Sequence, residues 1–98
     1  MKFSFSDHFL VQAKKRRISK NLAKKIYQEA EAKYFDTYTG HMVAVAKKKN
    51  AGKVKNLMLA YDIIGEEITA VTTYPVKDQE IENRVKRGRW IRKDNEES

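Results

Sequence analysis

The fold is decided by residues 19–48, which read SKNLAKKIYQEAEAKYFDTYTGHMVAVAKK. The apolar side chains of the first half are Leu22, Ala23, Ile26, Tyr27 and Ala30. Their spacing repeats with the period of an α-helix that lays one side on a core, and Ser19 is a suitable residue to cap its first turn. After Lys33 the helical period is lost, which indicates a change from helix to strand.

The chain beyond Lys33 contains extended segments rich in aromatic and β-branched residues. We predict strands at about 34–38, 41–48, 53–63 and 67–74, because residues that favour turns separate these segments. The turn residues are Thr39-Gly40, the looser basic loop Asn50-Ala51-Gly52, and Gly65. Short turns join antiparallel neighbours, so the segments are expected to form a meander.

A further helix is predicted before residue 19. Ser6 or Asp7 can cap a helix of about ten residues. The apolar residues expected to share its inner side are Phe9, Leu10 and Ala13. The pattern leaves open whether Lys2–Phe5 adds an edge strand to the sheet.

A short basic helix is predicted near the other end of the chain. Pro75 ends the last strand of the meander, Asp78 is placed to cap the helix, and Gly88 is placed to end it. The apolar residues expected to face the body are Ile81, Val85, Trp90 and Ile91.

Together these elements predict an α+β fold in which two N-terminal helices pack on a three- to four-stranded antiparallel sheet, followed by a short basic C-terminal helix. No repeat or Pro-rich linker divides the 98 residues, and so short a chain rarely supports two cores. We therefore expect a single domain over residues 1–93. Residues 94–98 contain three acids and no Lys or Arg, and we expect them to be a flexible acidic tail.

The composition is strongly basic. Lys and Arg number 21 against 13 Asp and Glu, which gives a net charge of +8. Over residues 1–93 the acids fall to ten against the same 21 cations, so the net charge rises to +11. Such a charge favours a polyanionic partner, and RNA fits best. Basic runs at 14–17, 47–55 and 84–93 suit a surface that follows a phosphate backbone, although charge runs are also typical of solvated faces.

The residue types present exclude several kinds of site. The chain has no Cys and two His, so it lacks disulfides and the ligands of a structural zinc. No Gly-rich nucleotide loop or paired-carboxylate site occurs, and we expect no cofactor and no metal. The chain has no apolar run of about 18 residues and no signal-peptide pattern, so we expect a cytoplasmic protein without a membrane partner.

The first predicted helix carries a polar stripe. His8, Gln12 and Arg16 are spaced four apart, so successive positions rotate by about 40° and face one surface. RNA cleavage without a metal needs groups that transfer protons and cations that hold the phosphate. Histidine suits proton transfer near neutral pH, and Arg16 or Arg17 can bind a phosphate through two hydrogen bonds. A structural His and a solvated helix end would give the same pattern.

The spacing of His8, Arg16, Ile18 and Ser19 resembles the His…Arg-Gly-Ile-Ser signature of a small bacterial and archaeal domain family of uncharacterised function. That family is placed in the wider RelE-like and barnase-like superfamily of ribonuclease toxins. The segment ITAVTTYP at residues 68–75 is similar to the family's final strand, a β-branched run that ends in Thr-x-Tyr-Pro. The two motifs together cover most of residues 6–75.

Two positions depart from the family pattern. Gln12 stands where the family often has an Arg, which removes one phosphate ligand. Arg17 stands where the family has a Gly, which suggests that the link between the first two helices needs no positive φ in this chain.

The resemblance implies a RelE-like fold and a metal-independent endoribonuclease of a toxin–antitoxin pair, a hydrolase with RNA as substrate and an antitoxin protein as partner. In this interpretation His8 transfers a proton, Arg16 or Arg17 steadies the scissile phosphate, and Tyr74 with Thr72 completes the site. Thr72 and Tyr74 share one face of the last strand of the meander because side chains alternate along it. The further residues expected to bind RNA are Gln12, Lys15, Arg17, Lys48, Lys53, Arg84, Arg87 and Arg89.

Two other functions fit the same residues. A non-catalytic nucleic-acid-binding module needs only the basic faces, and a basic docking domain for an acidic protein needs no nucleic acid. His41, beside the first hairpin turn, is a second candidate proton carrier that ranks below His8. Tyr34, Phe35 and Tyr38 suit either core packing or base stacking.

Overall fold

The computed structural model describes residues 2–93, and within this range it contains three helices and one six-stranded sheet. The strands are β1 (Lys2–Phe5), β2 (Ala32–Asp36), β3 (Met42–Asn50), β4 (Lys53–Ile64), β5 (Glu67–Pro75) and β6 (Trp90–Arg92). The helices are α1 (Asp7–Arg16), α2 (Lys20–Gln28) and α3 (Asp78–Lys86). The predicted α+β class is confirmed. The tail expected at 94–98 lies outside the described residues.

The strand order in the sheet is β1-β5-β4-β3-β2-β6. Strands β2 to β5 form the predicted antiparallel meander, and β6 adds antiparallel to β2. Because β1 pairs in parallel with β5, the sheet is mixed and six-stranded, and the expected three- to four-stranded antiparallel sheet is a partial description. Both additional strands are short and pair with partners far away in sequence, which local periodicity does not reveal.

Each face of the sheet buries an apolar cluster. Helices α1 and α2 cover one face, called here the α1/α2 face, and its largest buried side chains are Phe9, Ile26, Leu57, Leu59, Tyr61 and Ile68. Helix α3 lies on the opposite face, the α3 face, where the second cluster contains Tyr34, Val43, Val45, Met58, Ala60, Val76 and Trp90. Burial of apolar side chains on both faces is the main force that holds a sheet between two helical layers. No helix within residues 2–93 is long and apolar enough to cross a bilayer.

Helices α1 and α2 begin at serine caps, which are Ser6, one of the two residues predicted for α1, and the predicted Ser19. The hydroxyl of Ser6 accepts a 3.0 Å hydrogen bond from the N–H of Phe9. The hydroxyl of Ser19 accepts one of the same length from the N–H of Leu22. These bonds satisfy N–H groups that have no partner within the helix.

The prediction that Asp78 caps α3 is wrong. Lys77 occupies the cap position, and the Glu80 carboxylate accepts the N–H of Lys77 at 2.8 Å. Asp78 is the first helical residue and accepts a 2.7 Å hydrogen bond from the side-chain amide of Asn56. Gly88 follows the helix with a φ of 77°, as its predicted role in ending the helix requires.

The link between α1 and α2 does need a positive φ, contrary to the expectation from the departure at Arg17. Arg17 ends α1 with a φ of 59° and a ψ of 40°. This left-handed residue lets the N–H of Ile18 reach the carbonyl of Ala13 at 2.9 Å and close the helix end. Here an arginine adopts a conformation that normally favours glycine.

The turn between β3 and β4 is tighter than the loop predicted at residues 50–52. Only Ala51 and Gly52 lie between the strands, with φ values of 53° and 81°. Two consecutive positive φ values are what a type I′ hairpin turn requires. A two-residue turn fixes the register, so partners on β3 and β4 carry residue numbers that add to 103.

Some side chains placed on apolar sides are exposed. The structure leaves Leu10, Val85 and Ile91 open to solvent. Tyr34 is buried in the core and Phe35 is half-buried, whereas Tyr38 is exposed. Ile91 is nevertheless anchored through its backbone because it pairs with Phe35 in the sheet.

A β-bulge in β5 decides which way its last residues face. Ala70 pairs with Tyr61 and Thr72 pairs with Ala60, so Val71 has no partner of its own. A bulge adds one residue and reverses the alternation of side chains beyond it. Thr72 and Tyr74 therefore lie on the α3 face, although Ile68 and Ala70 lie on the α1/α2 face.

Candidate active site

Mostly polar side chains form a row that crosses the α3 face from edge to edge. The members of this polar row are Ser4, Thr69, Asp62, His41, Asp36 and Trp90. Each member lies opposite the next on the neighbouring strand. The Ser4 and Thr69 hydroxyls are 3.1 Å apart, and Trp90 Nε1 donates to Asp36 Oδ2 at 3.0 Å.

The centre of the polar row is a hydrogen-bonded pair of a histidine and a carboxylate. His41 Nδ1 lies 2.7 Å from Asp62 Oδ1, and the two side chains are 30% and 39% exposed. A carboxylate hydrogen-bonded to Nδ1 fixes the orientation of the ring. The second nitrogen, Nε2, is then the one available to exchange a proton with a bound molecule.

Asp36 anchors the buried end of the polar row and is only 3% exposed. Its carboxylate accepts hydrogen bonds from the N–H groups of Tyr38 and Thr39 at 2.8 and 3.2 Å, and from Arg89 Nε at 3.2 Å. Burial by itself raises the pKa of Asp36, but the hydrogen bonds from Arg89, Trp90 and the two backbone N–H groups outweigh burial and hold the pKa below its ordinary value. Asp36 is therefore a charged structural anchor.

The side chain of Arg84 extends from α3 over the α3 face of the sheet. Its Nη1 donates to the Tyr74 hydroxyl at 3.3 Å, and its guanidinium carbon lies 4.9 Å from the centre of the Trp90 ring. Stacking on an aromatic ring and a hydrogen bond fix the guanidinium before any ligand arrives. Arg84 thus presents a fixed positive charge beside Tyr74.

A polar cavity of about 290 Å³ lies between α3 and the loop that follows β2. It is lined by Tyr38, Glu80, Asn83, Arg84, Arg87 and Arg89. Three arginines against one glutamate make its walls positive, and the loop beside it leads directly into His41. The cavity and the hydrogen-bonded pair of His41 and Asp62 are therefore joined through this loop.

No family model, curated protein or solved structure matches the chain. The site is therefore defined by the geometry and chemistry of its own residues.

The structure does not bring together the four residues predicted to be catalytic. His8 and Arg16 are exposed on α1, whereas Thr72 and Tyr74 lie on the opposite face of the sheet. The bulge at Val71 is the physical reason, because regular alternation after Ala70 would have turned Thr72 and Tyr74 toward α1. Thr72 and Tyr74 do share one face, as predicted.

Two of the predicted basic runs meet at the far end of the molecule. The side-chain amide of Asn50 donates to the carbonyl of Arg17 at 3.1 Å, which joins the end of α1 to the β3–β4 turn. Lys15 and Lys53 are exposed there, while Lys48 forms an ion pair with Glu29. The pair with Lys48, through a hydrogen bond and its charge, lowers the pKa of the Glu29 carboxyl. The half-buried Gln12 lies on α1, between this basic end and the start of that helix.

The third basic run supplies Arg84, Arg87 and Arg89, which line the cavity as a group. Their role in binding RNA stays a prediction. Asp62, the partner of His41, was missed because no local pattern marks it. The signal was present in the β3–β4 turn, since a two-residue turn at 51–52 places residue 62 opposite residue 41.

Within residues 2–93, no three His, Asp or Glu side chains gather in a way that could hold a metal ion. The groups that this surface offers to a ligand are an imidazole, a phenol, hydroxyls and guanidinium groups.

Proposed function

We propose that the chain is an endoribonuclease that works without a metal and has its active site on the α3 face. One observation supports this location above all: His41, oriented by Asp62, shares a face with Thr72, Tyr74 and a cavity lined by arginines. A proton carrier and fixed cations on one open surface are what cleavage of a phosphodiester by the neighbouring 2′-hydroxyl requires.

The proposed reaction is an internal transesterification. His41 Nε2 takes the proton of the 2′-hydroxyl, and the oxygen attacks the phosphorus. The bond from phosphorus to the 5′-oxygen breaks, and the Tyr74 hydroxyl gives its proton to that oxygen. The products are a 2′,3′-cyclic phosphate and a free 5′-hydroxyl, with no net loss or gain of protons.

The cations stabilise the charge that builds on the phosphate in this scheme. Arg84 lies beside the Tyr74 hydroxyl, so it can neutralise both the phosphate oxygens and the phenolate that forms. The half-buried Thr72 lies two residues before Tyr74 on the same face of β5, and it offers a hydroxyl to the same phosphate.

The toxin–antitoxin role, the antitoxin partner and the cytoplasmic location belong to the same proposal. The resemblance of residues 8–19 and 68–75 to the ribonuclease-toxin superfamily supports them. His8 and Arg16 remain predictions as site residues, and in this proposal they belong to a second surface on the α1/α2 side.

A cleavage assay with purified protein tests the proposal. The parent chain is expected to cut single-stranded RNA in EDTA and to leave cyclic phosphate ends. His41→Ala is expected to lower the rate by at least about a hundredfold, while His8→Ala stays close to the parent. Intact RNA in EDTA would overturn the proposed activity. A His8 variant that loses activity while the His41 variant keeps it would overturn the proposed location of the active site.

A non-catalytic nucleic-acid-binding module is the second candidate. It is favoured by the basic end formed by α1 and the β3–β4 turn, which contains Lys15, Arg17 and Lys53 and lies away from His41. Binding that weakens steeply with salt but leaves RNA intact would support this candidate.

A further inference from the structure

Tyr38 is 71% exposed although it belongs to a firmly held loop. Thr37 donates its N–H to the carbonyl of Arg89 at 2.8 Å and its hydroxyl to the carbonyl of Gly88 at 3.0 Å. The N–H of Tyr38 itself is bound by Asp36. An aromatic ring that is both exposed and fixed contributes little to the core and loses little entropy when it binds a ligand.

One side of the Tyr38 ring already has a partner. The guanidinium carbon of Arg89 lies 4.9 Å from the ring centre, and Arg89 is held by its ion pair with Asp36 at 3.2 Å. One side of the Tyr38 ring is thus in contact with a cation. The large exposed fraction of Tyr38 leaves its other side free for a flat partner.

The cavity beside Tyr38 has an excess of positive charge. Within residues 2–93, Arg84 and Arg87 have no carboxylate partner in an ion pair. The one acid in the cavity wall, Glu80, accepts the N–H of Lys77 at the start of α3. Two guanidinium groups without carboxylate partners, next to a free aromatic side, fit a ligand with a flat ring and an attached phosphate.

We propose that Tyr38 and the arginine-lined cavity form a subsite for one nucleotide of single-stranded RNA. The base stacks on the free side of Tyr38, and its phosphate binds Arg84 and Arg87. This inference rests on the proposed function only in that RNA is the ligand, because stacking requires no proton transfer by His41. A paired base cannot stack on the ring without leaving its helix, so the subsite selects single strands.

The subsite can be tested separately from catalysis by measuring RNA binding to a variant that is expected not to cleave RNA. Tyr38→Ala and Tyr38→Phe are made in the His41→Ala background, and affinity is measured by fluorescence anisotropy with a labelled single strand of about eight nucleotides. The control is Val54→Ala, which changes another exposed side chain, located beside the β3–β4 turn. Thermal melts establish that each variant is folded.

We expect Tyr38→Ala to weaken binding of the single strand by about tenfold, as loss of one stacked base does. Tyr38→Phe and Val54→Ala should bind like the His41→Ala parent, and binding of duplex RNA should not change. Equal affinity of Tyr38→Ala and its parent, or an equal loss on duplex RNA, would overturn the subsite. If the chain with His41 intact fails to cleave RNA but Tyr38→Ala still weakens binding, the subsite stands and the catalytic proposal fails.

Discussion

The hydroxyl of Ser6 donates a 3.1 Å hydrogen bond to the carbonyl of Val71 while it accepts the N–H of Phe9. Val71 is the unpaired residue of the bulge that turns Thr72 and Tyr74 onto the α3 face. One side chain therefore fixes both the start of α1 and the strand that carries part of the proposed site.

Replacement of Ser6 by alanine should affect stability and activity together. Both Ser6→Ala and the matched Ser19→Ala remove a helix cap, and each should lower the free energy of unfolding by about 1 kcal/mol. Only Ser6→Ala should also slow RNA cleavage, because the bulge loses its support. Urea denaturation and initial cleavage rates measure the two effects, and equal activity of the two variants would count against a role of Ser6 at the bulge.

The carboxylate of Asp62 should matter through His41. Asp62→Asn keeps the shape of the side chain but removes the carboxylate that orients the His41 ring through Nδ1, so we expect cleavage to slow by about a hundredfold. Asp78→Asn is the control, since that carboxylate is exposed and contacts Asn56. Single-turnover rates over a range of pH provide the measurement. Equal rates for both variants would show that Asp62 does not assist His41.

Asp36 should make the free energy of unfolding depend on pH in the acidic range. Its folded pKa lies below the ordinary value of 3.8, so its stabilising effect is complete well above that value and is lost as the pH falls through the folded pKa. Asp36→Asn should cost about 3 kcal/mol at pH 6, because Arg89 and Trp90 lose a buried charged partner. The difference from the parent should shrink toward pH 3 in urea denaturation. A difference that is independent of pH would contradict the charged state of Asp36.

The geometry of Arg84 should be as important as its charge. Arg84→Lys keeps a cation but loses the planar group that stacks on Trp90 and reaches Tyr74. We expect a loss of about tenfold in cleavage rate. Lys86→Arg serves as a control at an exposed position on the same helix. A fully active Arg84→Lys variant would mean that charge alone suffices.

Replacement of Arg17, whose backbone is left-handed, should increase the stability of the fold. Arg17→Gly removes the steric cost of a φ of 59° and should stabilise the fold by roughly 0.5–1 kcal/mol. Gly88→Ala makes the opposite change at a φ of 77° and should destabilise it by a similar amount. Chemical denaturation of both variants measures these shifts. A loss of stability in Arg17→Gly would indicate that the arginine side chain itself holds the helix end.

The sequence was sufficient for the elements whose signals are local. The period of apolar residues located α2, the caps Ser6 and Ser19 located both helix starts, and turn residues located the meander. It was not sufficient for β1 and β6, since each pairs with a strand far away in the chain and their short runs carry little periodicity.

The site was harder to predict because it depends on register. The cations Arg84, Arg87 and Arg89 were identified from composition alone. The hydrogen bond of His41 with Asp62 depends on the turn at 51–52. The face of the sheet on which Tyr74 lies depends on a bulge that neither residue type nor spacing marks. One residue more or less in a strand exchanges its two faces, so a site on a sheet is specified by turns and bulges as much as by its own side chains.

The links from Asp36 to Arg89 and Trp90 span 53 and 54 positions along the chain. A ribosome releases the chain from its first residue onward, so β2 to β5 can pair before these partners emerge. The cavity arginines and the tryptophan on which Arg84 stacks therefore leave the ribosome after β2 to β5. In a chain that cuts RNA, this order of synthesis would keep the cavity from binding RNA until the strands of the meander have emerged.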